Sequence, residues 1–456
     1  MIVQGSGFRC FCRAAFFGFV FDRYMIIVPN KVLGVFLTTG CFCFILVNQP
    51  FSLDNLFSKG EYMEEACAPP LNTGLRGVTV ASTKISNVIG DQGKLIYRGY
   101  LVPELAGKTT YEEIVHLLMF EKLPNAQELE ALKARLAAER AIPDALIAAL
   151  RTRPAKALPM DILQAAVAML ANHDPDIADQ SREATLRMGL RLVAKLATVL
   201  AAWARIRDNK EPVAPDPELG HAANFLYMLS GQKADPEVAH FFDTALVLHA
   251  EHSFNASTFA AREVASTRAH IYAAISAAIG SLSGELHGGA NVRVMQMLLN
   301  IGSPDKAEAY VNQVLDEGKK IMGLGHAVYK TDDPRAHILA SMSKRMGEKA
   351  GDTKWYEISK ILEVKGKEAF KSHKGTDIYV NVDFYSASLY YSMGISVDLF
   401  SPLFAISRVA GWAAHVLEEQ FAEAAPKPML YRPKSKYIGE YCGPAECSFV
   451  PLAERD

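Results

Sequence analysis

Beyond about Thr109 the apolar residues of this chain recur at the spacing of an α-helix and seldom at the alternation of a strand, which restricts it to a mainly α architecture. The stretch TTYEEIVHLLMFEKLP offers Thr109 and Glu112 as a capping box, then Ile114, Leu117 and Leu118 on one face, then Pro124 as a stop. Asn125 begins a second helix whose apolar stripe is Leu129, Leu132 and Leu136. The pattern continues through Leu186, Leu190, Val193, Ala197 and Leu200, and Asp235-Pro236 opens another helix, since proline at the first helical position forfeits no hydrogen bond. The run IYAAISAAIGSLSG at 271–284 is rich in small residues that let helix axes approach closely, within a bundle or between subunits. Strand signals are confined to Val78–Val80, Lys94–Tyr97 and Ile378–Val380.

A chain of 456 residues exceeds one ordinary domain, so two packed units plus an appendage are expected. A net charge of −2 argues against a nucleic-acid surface, which needs clustered Lys and Arg. The seven cysteines avoid residues 68–441 altogether, which removes a thiolate nucleophile, a cysteine-ligated zinc and a disulfide framework from the main body. A reducing, cytoplasmic setting fits that usage, and Cys442 and Cys447 read as inert tail residues.

Residues 1–62 differ from the rest, with crowded Phe and Cys and the apolar run VLGVFLTTGCFCFILV at 32–47, which is short for a membrane span. Two readings compete. One is a signal or anchor preceded by Arg9, Arg13, Arg23 and Lys31; the other, favoured by the polar start at Met63, is an upstream extension outside the fold.

No Walker loop, dinucleotide fingerprint, nucleophile-elbow serine or HExxH helix is present. What remains is a set of histidines and arginines. His249 and His252, three apart in LVLHAEHSFNAST, would share one helix face and form half a metal site, although a structural histidine is the commoner reading of each. His287 sits in GELHGGAN, where Gly288-Gly289 allows close approach to a ligand or simply makes a turn. In GLGHAVYKTDDPR two glycines flank a loop that delivers His326, and Asp333-Pro334 makes a turn presenting Arg335. Asp383 lies in the apolar and aromatic stretch VNVDFYSASLYY, as a buried carboxylate or a helix N-cap.

LHAEH, HGGAN, GLGHAVYKTDDPR, NVDFYSA, ISRVAGWAAH and RPKSKYIG occur in the order and approximate spacing of the citrate synthase family, and the chain resembles its short bacterial and archaeal members from about Gly74 to Arg455. The resemblance implies a large helical domain (63–285 with 396–456) and a smaller helical domain (286–395) that closes over the cleft. It implies an acyltransferase that joins acetyl-CoA to oxaloacetate and hydrolyses the product thioester to citrate and CoA. By that resemblance Asp383 is the base, His287 the donor to the thioester oxygen, and His326 the donor to the ketone. Arg335, Arg408 and Arg432 would hold the two carboxylates, with His252 a further contact and Arg432 reaching the site of the neighbouring subunit in a homodimer. Lys320 and Lys374 would meet CoA phosphates, although solvated surface lysine is the commoner reading of each taken alone. No cofactor, metal, nucleic acid or membrane is expected. Ser253 stands where many relatives carry Glu, and Val380 replaces a proline often found before the NVD triplet. The nearest alternative is a 2-methylcitrate synthase using propionyl-CoA, one methylene different; a catalytically silent helical scaffold is the remote one.

Overall fold

The computed structural model describes residues 73–75, 77–325, 328–439 and 449–455, and the backbone of three strands before them. Those strands, β1 (Tyr24–Val28), β2 (Lys31–Thr38) and β3 (Cys41–Val47), pair antiparallel in sequence order. They belong to a contact unit made of 1–78 with 436–456, distinct from the unit of 79–435 that holds the helices and the site described below. The rest of the 1–62 leader, Met63, Cys442, Cys447 and His326 lie outside the described residues.

The larger unit starts with a small meander, β4 (Ser86–Ile89), β5 (Lys94–Tyr97) and β6 (Tyr100–Leu101), in which Ser86 faces Tyr97 and Tyr97 faces Tyr100. Only β5 among the expected strands forms as such. Val78–Val80 is irregular, and Ile378–Val380 contributes only Val380, in a single antiparallel bridge to Leu324.

Helices follow: α1 (Val102–Leu105), α2 (Tyr111–Phe120), α3 (Ala126–Glu139), α4 (Asp144–Arg151), α5 (Pro159–Ala171) and α6 (Arg182–Arg207). The capping box of α2 is Thr110 with Glu113, one residue later than the sequence suggested. The doublets Thr109-Thr110 and Glu112-Glu113 allow either register. Glu112 is buried and accepts the His221 N–H at 2.7 Å, which leaves Glu113 to close the cap. Asn125 caps α3 as expected, reciprocally with Glu128.

Next come α7 (His221–Ser230), α8 (Pro236–His249), α9 (Ala256–Ser266) and α10 (Ile271–Ser283). Asp235 caps α8 with Pro236 at its first position, but the helix ends at His249, so His252 does not share a helix face with it. The Tyr97 hydroxyl donates to the Glu251 carbonyl (2.9 Å) and accepts its N–H (3.2 Å), and Ser253 turns at a left-handed φ of 53°. These bonds draw the chain out of the helix before His252. The small-residue helix α10 packs on α5 and α9, as its composition implied.

A last group comprises α11 (Ala290–Ile301), α12 (Ala307–Asp316), α13 (Pro334–Ala350), α14 (Lys354–Lys374), α15 (Val382–Ser392) and α16 (Phe400–Gln420). Helices α11 to α15 pack chiefly on one another, whereas α16 packs against α2, α6, α8, α9 and α10. Every residue of α16 from Phe400 to Glu419 is buried, the mark of a helix surrounded by others. Its approach to the segment after α8 requires glycine at 411, where a Cβ would lie 2.2 Å from Glu251 Oε2 and 2.4 Å from the Ala250 carbonyl. That contact brings Arg408, three residues earlier, onto the end of α8.

Candidate active site

The loop before His326 and the segment before Asp383 are fastened together by backbone. Gly323 accepts the Asn381 N–H at 3.0 Å, and Gly325 donates its N–H to Tyr379 at 2.7 Å. Gly323 has a φ of 82°, and a Cβ there would lie 2.5 Å from Phe384, so both conformation and room demand glycine. The Asn381 side chain donates to the Gly325 carbonyl (3.1 Å) and accepts the Asp383 N–H (3.1 Å), which makes Asn381 the N-cap of α15. Asp383 is therefore not the cap. It lies in the first helical turn, half-buried, and among the described residues no hydrogen bond or ion pair engages its carboxylate. Burial pushes its pKa up to about 6 against the opposing pull of Arg335 and Arg408.

His287 sits in the turn between α10 and α11, where the Gly288 carbonyl accepts the Ser401 hydroxyl at 2.7 Å. Gly288 packs against Leu282 so tightly that a Cβ would fall 2.0 Å from its carbonyl oxygen, a structural use for the HGG glycine. The ring reaches the start of α9: Nε2 lies 3.2 Å from the Ser257 N–H and 2.8 Å from the Ser257 hydroxyl. A main-chain N–H can only donate, so Nε2 is the acceptor and the ring proton resides on Nδ1. Burial and the nearby Arg408 charge lower the pKa to about 4, leaving a neutral imidazole that offers an Nδ1–H donor at neutral pH. Ser257 is itself fixed by the Trp412 indole N–H, 3.2 Å from its oxygen, and by Asn255, the N-cap of α9.

The arginines divide by environment. Arg335 is buried, and Asp333, the N-cap of α13 rather than part of a free turn, holds its Nε at 2.9 Å and Nη2 at 2.6 Å. Burial disfavours the charge, but Asp333 more than offsets it and raises the Arg335 pKa. Arg408 is equally buried, yet among the described residues no carboxylate pairs with it. Its Nε donates to the His249 carbonyl at 2.7 Å, and burial lowers its pKa to about 10. Arg408 is thus a buried cation that no described carboxylate bonds directly, charged at neutral pH and balanced only from a distance by Glu251 and Asp383, which leaves it able to take a further anion. Arg432 is exposed, next to Tyr431, whose hydroxyl donates to Glu419 at 3.0 Å.

His252 stacks edge-on to Tyr329 with ring centroids 5.7 Å apart. His249 is buried, with Nδ1 2.7 Å from the Ala245 carbonyl and a pKa lowered to about 3 by burial and by Arg335, which suits a structural histidine. Lys320 and Lys374 are both exposed. Behind the site, Arg262 pairs with Glu418 (2.7 Å) and Glu419 (2.6 Å), and His415 Nε2 lies 2.9 Å from Glu251 Oε1, all buried. Among the described residues one trio, Asp332, His337 and Glu363, gathers possible metal-ligand atoms within 4.8 Å. The Lys367 ammonium already lies 2.7 Å from Asp332 and 3.0 Å from Glu363, supplying the positive charge there.

Arg408 is within electrostatic reach of His287, Asp383 and Arg335, and Asp383 also feels Arg335, whereas Arg432, Lys320 and Lys374 lie on the surface of the single chain. Ser257 escaped the sequence reading, which also gave Asp333 as a turn residue and not as the cap and ion-pair partner that holds Arg335. The cap signal in Asn255-Ala-Ser-Thr258, just past His252, announced free helix N–H groups but not the ring they meet.

Residues 74–434 match the family model described as citrate synthase, C-terminal domain. The citrate synthase of Haloferax volcanii is 44% identical over 392 residues, 84% of this chain and 99% of that protein. A 2-methylcitrate synthase of Mycobacterium tuberculosis is 38% identical over 371 residues, 81% and 91% of the two chains. Among solved structures, the citrate synthase of Pyrobaculum aerophilum superposes with a TM-score of 0.77 at 40% identity, covering 84% of this chain and 95% of that one. The ternary complex of a Thermoplasma acidophilum citrate synthase with carboxymethyl coenzyme A and oxaloacetate gives 0.77 at 33%, covering 84% and 99%. Fold, site and relatives together place this chain in the citrate synthase family.

Proposed function

We propose that the protein condenses acetyl-CoA with oxaloacetate and hydrolyses the resulting citryl thioester to citrate and CoA. The observation that carries this reading is a desolvated carboxylate at Asp383 and a neutral imidazole at His287, each within electrostatic reach of the buried Arg408 guanidinium.

The methyl group of a thioester is a very weak carbon acid, so its proton leaves only if the base is strengthened and the developing enolate oxygen is held. Asp383, its pKa raised to about 6, is a better base than an ordinary carboxylate and still ionised at neutral pH. His287 donates from Nδ1 to the thioester oxygen, its other nitrogen engaged by the Ser257 N–H. The enol carbon attacks the ketone of oxaloacetate, whose oxygen takes a proton from His326. Water then cleaves the thioester, giving the free acid and the CoA thiol.

Arg408 takes one carboxylate of the keto diacid. Arg335, already paired with Asp333 through Nε and Nη2, offers its Nη1, which otherwise reaches only the Leu248 carbonyl at 3.4 Å, and His252 adds a contact. Arg432 acts on the site of a second copy in a homodimer, consistent with its exposure here. Lys320 and Lys374 meet CoA phosphates. Helices α11 to α15, within 286–395, close as a smaller domain over the remainder and exclude water until the carbon–carbon bond has formed. No cofactor takes part, and the enzyme works in the cytoplasm. Among the described residues no helix is long and apolar enough to cross a membrane.

Thiol release measured in parallel with acetyl-CoA and propionyl-CoA, with and without oxaloacetate, tests the reading. Oxaloacetate-dependent release that prefers acetyl-CoA is expected. A clear preference for propionyl-CoA would assign the chain to 2-methylcitrate synthesis, a difference of one methylene worth about 1–3 kcal/mol. No release with either would overturn the reading.

A further inference from the structure

We infer that Asp332, Lys367 and Glu363 form an ionic brace that positions Asp383 by gripping the chain on both sides of it, an inference that rests on the role proposed for Asp383. Asp332 Oδ1 accepts the Val380 N–H at 3.0 Å, three residues before Asp383. Glu363 Oε2 accepts the Tyr385 hydroxyl at 2.5 Å, two residues after it. Lys367 on α14 bridges the two carboxylates, 2.7 Å from Asp332 Oδ2 and 3.0 Å from Glu363 Oε1. His337 Nε2 on α13 lies 3.3 Å from Asp332 Oδ2, and Lys360 donates to Glu363 at 2.9 Å.

Chain connectivity makes the brace matter. Asp332 immediately precedes Asp333, the residue that holds Arg335, and the Asp333 N–H donates to the Val380 carbonyl at 3.0 Å. Val380 is therefore held through both its N–H and its C=O by consecutive aspartates, and the next residue, Asn381, caps the helix that carries Asp383. Among the described residues no side chain bonds the Asp383 carboxylate, so its aim is inherited from the backbone around it, which Asn381 caps and which Val380 and Tyr385 anchor on either side. Both anchoring carboxylates are kept ionised. Burial opposes the charge on Asp332, but His337, Lys367 and the Val380 N–H outweigh it; burial likewise opposes the charge on Glu363, but Tyr385, Lys360 and Lys367 outweigh it. The trio that resembles a metal-binding group is on this view a salt-bridged positioning device, with Lys367 as its permanent cation.

These are positioning residues, none touching substrate. A displacement near 1 Å at a reacting group costs roughly 100-fold in rate, so even a partial loss of aim registers in kcat. Asp332→Ala removes the acceptor for Val380; Asp332→Asn restores it without the charge. Expected for Asp332→Ala are a kcat lowered at least about tenfold, a KM for oxaloacetate within about threefold of the original, and an acid limb of the rate profile moved to lower pH as Asp383 gains water. Asp332→Asn, which keeps the acceptor for Val380 and loses the ion pair to Lys367, is expected to recover part of the kcat. Independently of turnover, amide exchange at Val380 should accelerate in Asp332→Ala and return toward the original in Asp332→Asn. If Asp332→Ala does not fold, Tyr385→Phe, which deletes only the hydroxyl at the other end, should lower kcat about three- to tenfold. An unchanged kcat in the folded variant, or an Asn variant as impaired as Ala in both rate and exchange, overturns the brace. A parent enzyme that releases no CoA would overturn the function instead, while the exchange result still judges the anchor.

Discussion

Replacing Asp383 by Asn should abolish turnover while making the folded protein more stable, and the stability gain should depend on pH. Burial raises the carboxyl from its ordinary 3.8 to about 6. A shift of about 2 units corresponds to roughly 3 kcal/mol favouring the protonated form in the fold, an upper figure because the residue keeps some contact with water. The folded pKa exceeds the unfolded one. The stabilisation it represents is therefore fully present below about pH 3.8 and lost as pH rises through about 6. At pH 7.5 the native enzyme carries the whole penalty of a desolvated carboxylate, and at pH 4 almost none. Asparagine mimics the neutral acid, so the variant should gain up to about 3 kcal/mol at pH 7.5 and little at pH 4, read from urea unfolding at both values. Its thiol-release rate should fall by about 100- to 10,000-fold, the usual worth of a general base. In the parent enzyme kcat/KM should rise with pH through about 6 as Asp383 ionises, with no second limb from His287, whose pKa of about 4 keeps it neutral throughout. A variant equally or less stable at pH 7.5, or an acid limb below about pH 5, would refute the desolvation argument.

Arg408→Gln should raise the KM for oxaloacetate about 10- to 150-fold, the loss of a charged hydrogen bond of about 1.5–3 kcal/mol, and steady-state kinetics with a KM unchanged within threefold would contradict its role. Arg262→Met strands the buried Glu418 and Glu419 and should cost about 3–5 kcal/mol in urea unfolding; a change below about 1 kcal/mol would show the pair to be dispensable. Mixing inactive Arg432→Ala with inactive His287→Ala, after subunit exchange, should restore about a quarter of the parent activity if each site borrows Arg432 from its partner, and no recovery would place that arginine in its own subunit's site.

What the chain determines locally was legible in its sequence: the 3.6-residue repeat, the Asn125 cap and the Asp235-Pro236 start all appear as expected, because they depend on neighbours within a turn of helix. Where two local solutions were equally good, long-range contacts chose between them. The capping box of α2 moved from Thr109 to Thr110 because His221, over a hundred residues away, occupies Glu112. The helix face expected to join His249 and His252 was broken by the Tyr97 hydroxyl from the strand meander. The reacting residue types were visible in the motifs, but their chemical states were not. A proton on Nδ1 of His287, a carboxyl at Asp383 titrating near 6 and a buried charge at Arg408 without a directly bonded carboxylate all arise from desolvation and from partners distant in sequence. Only packing brings those partners within reach, because a pKa and a tautomer belong to an environment and not to a residue.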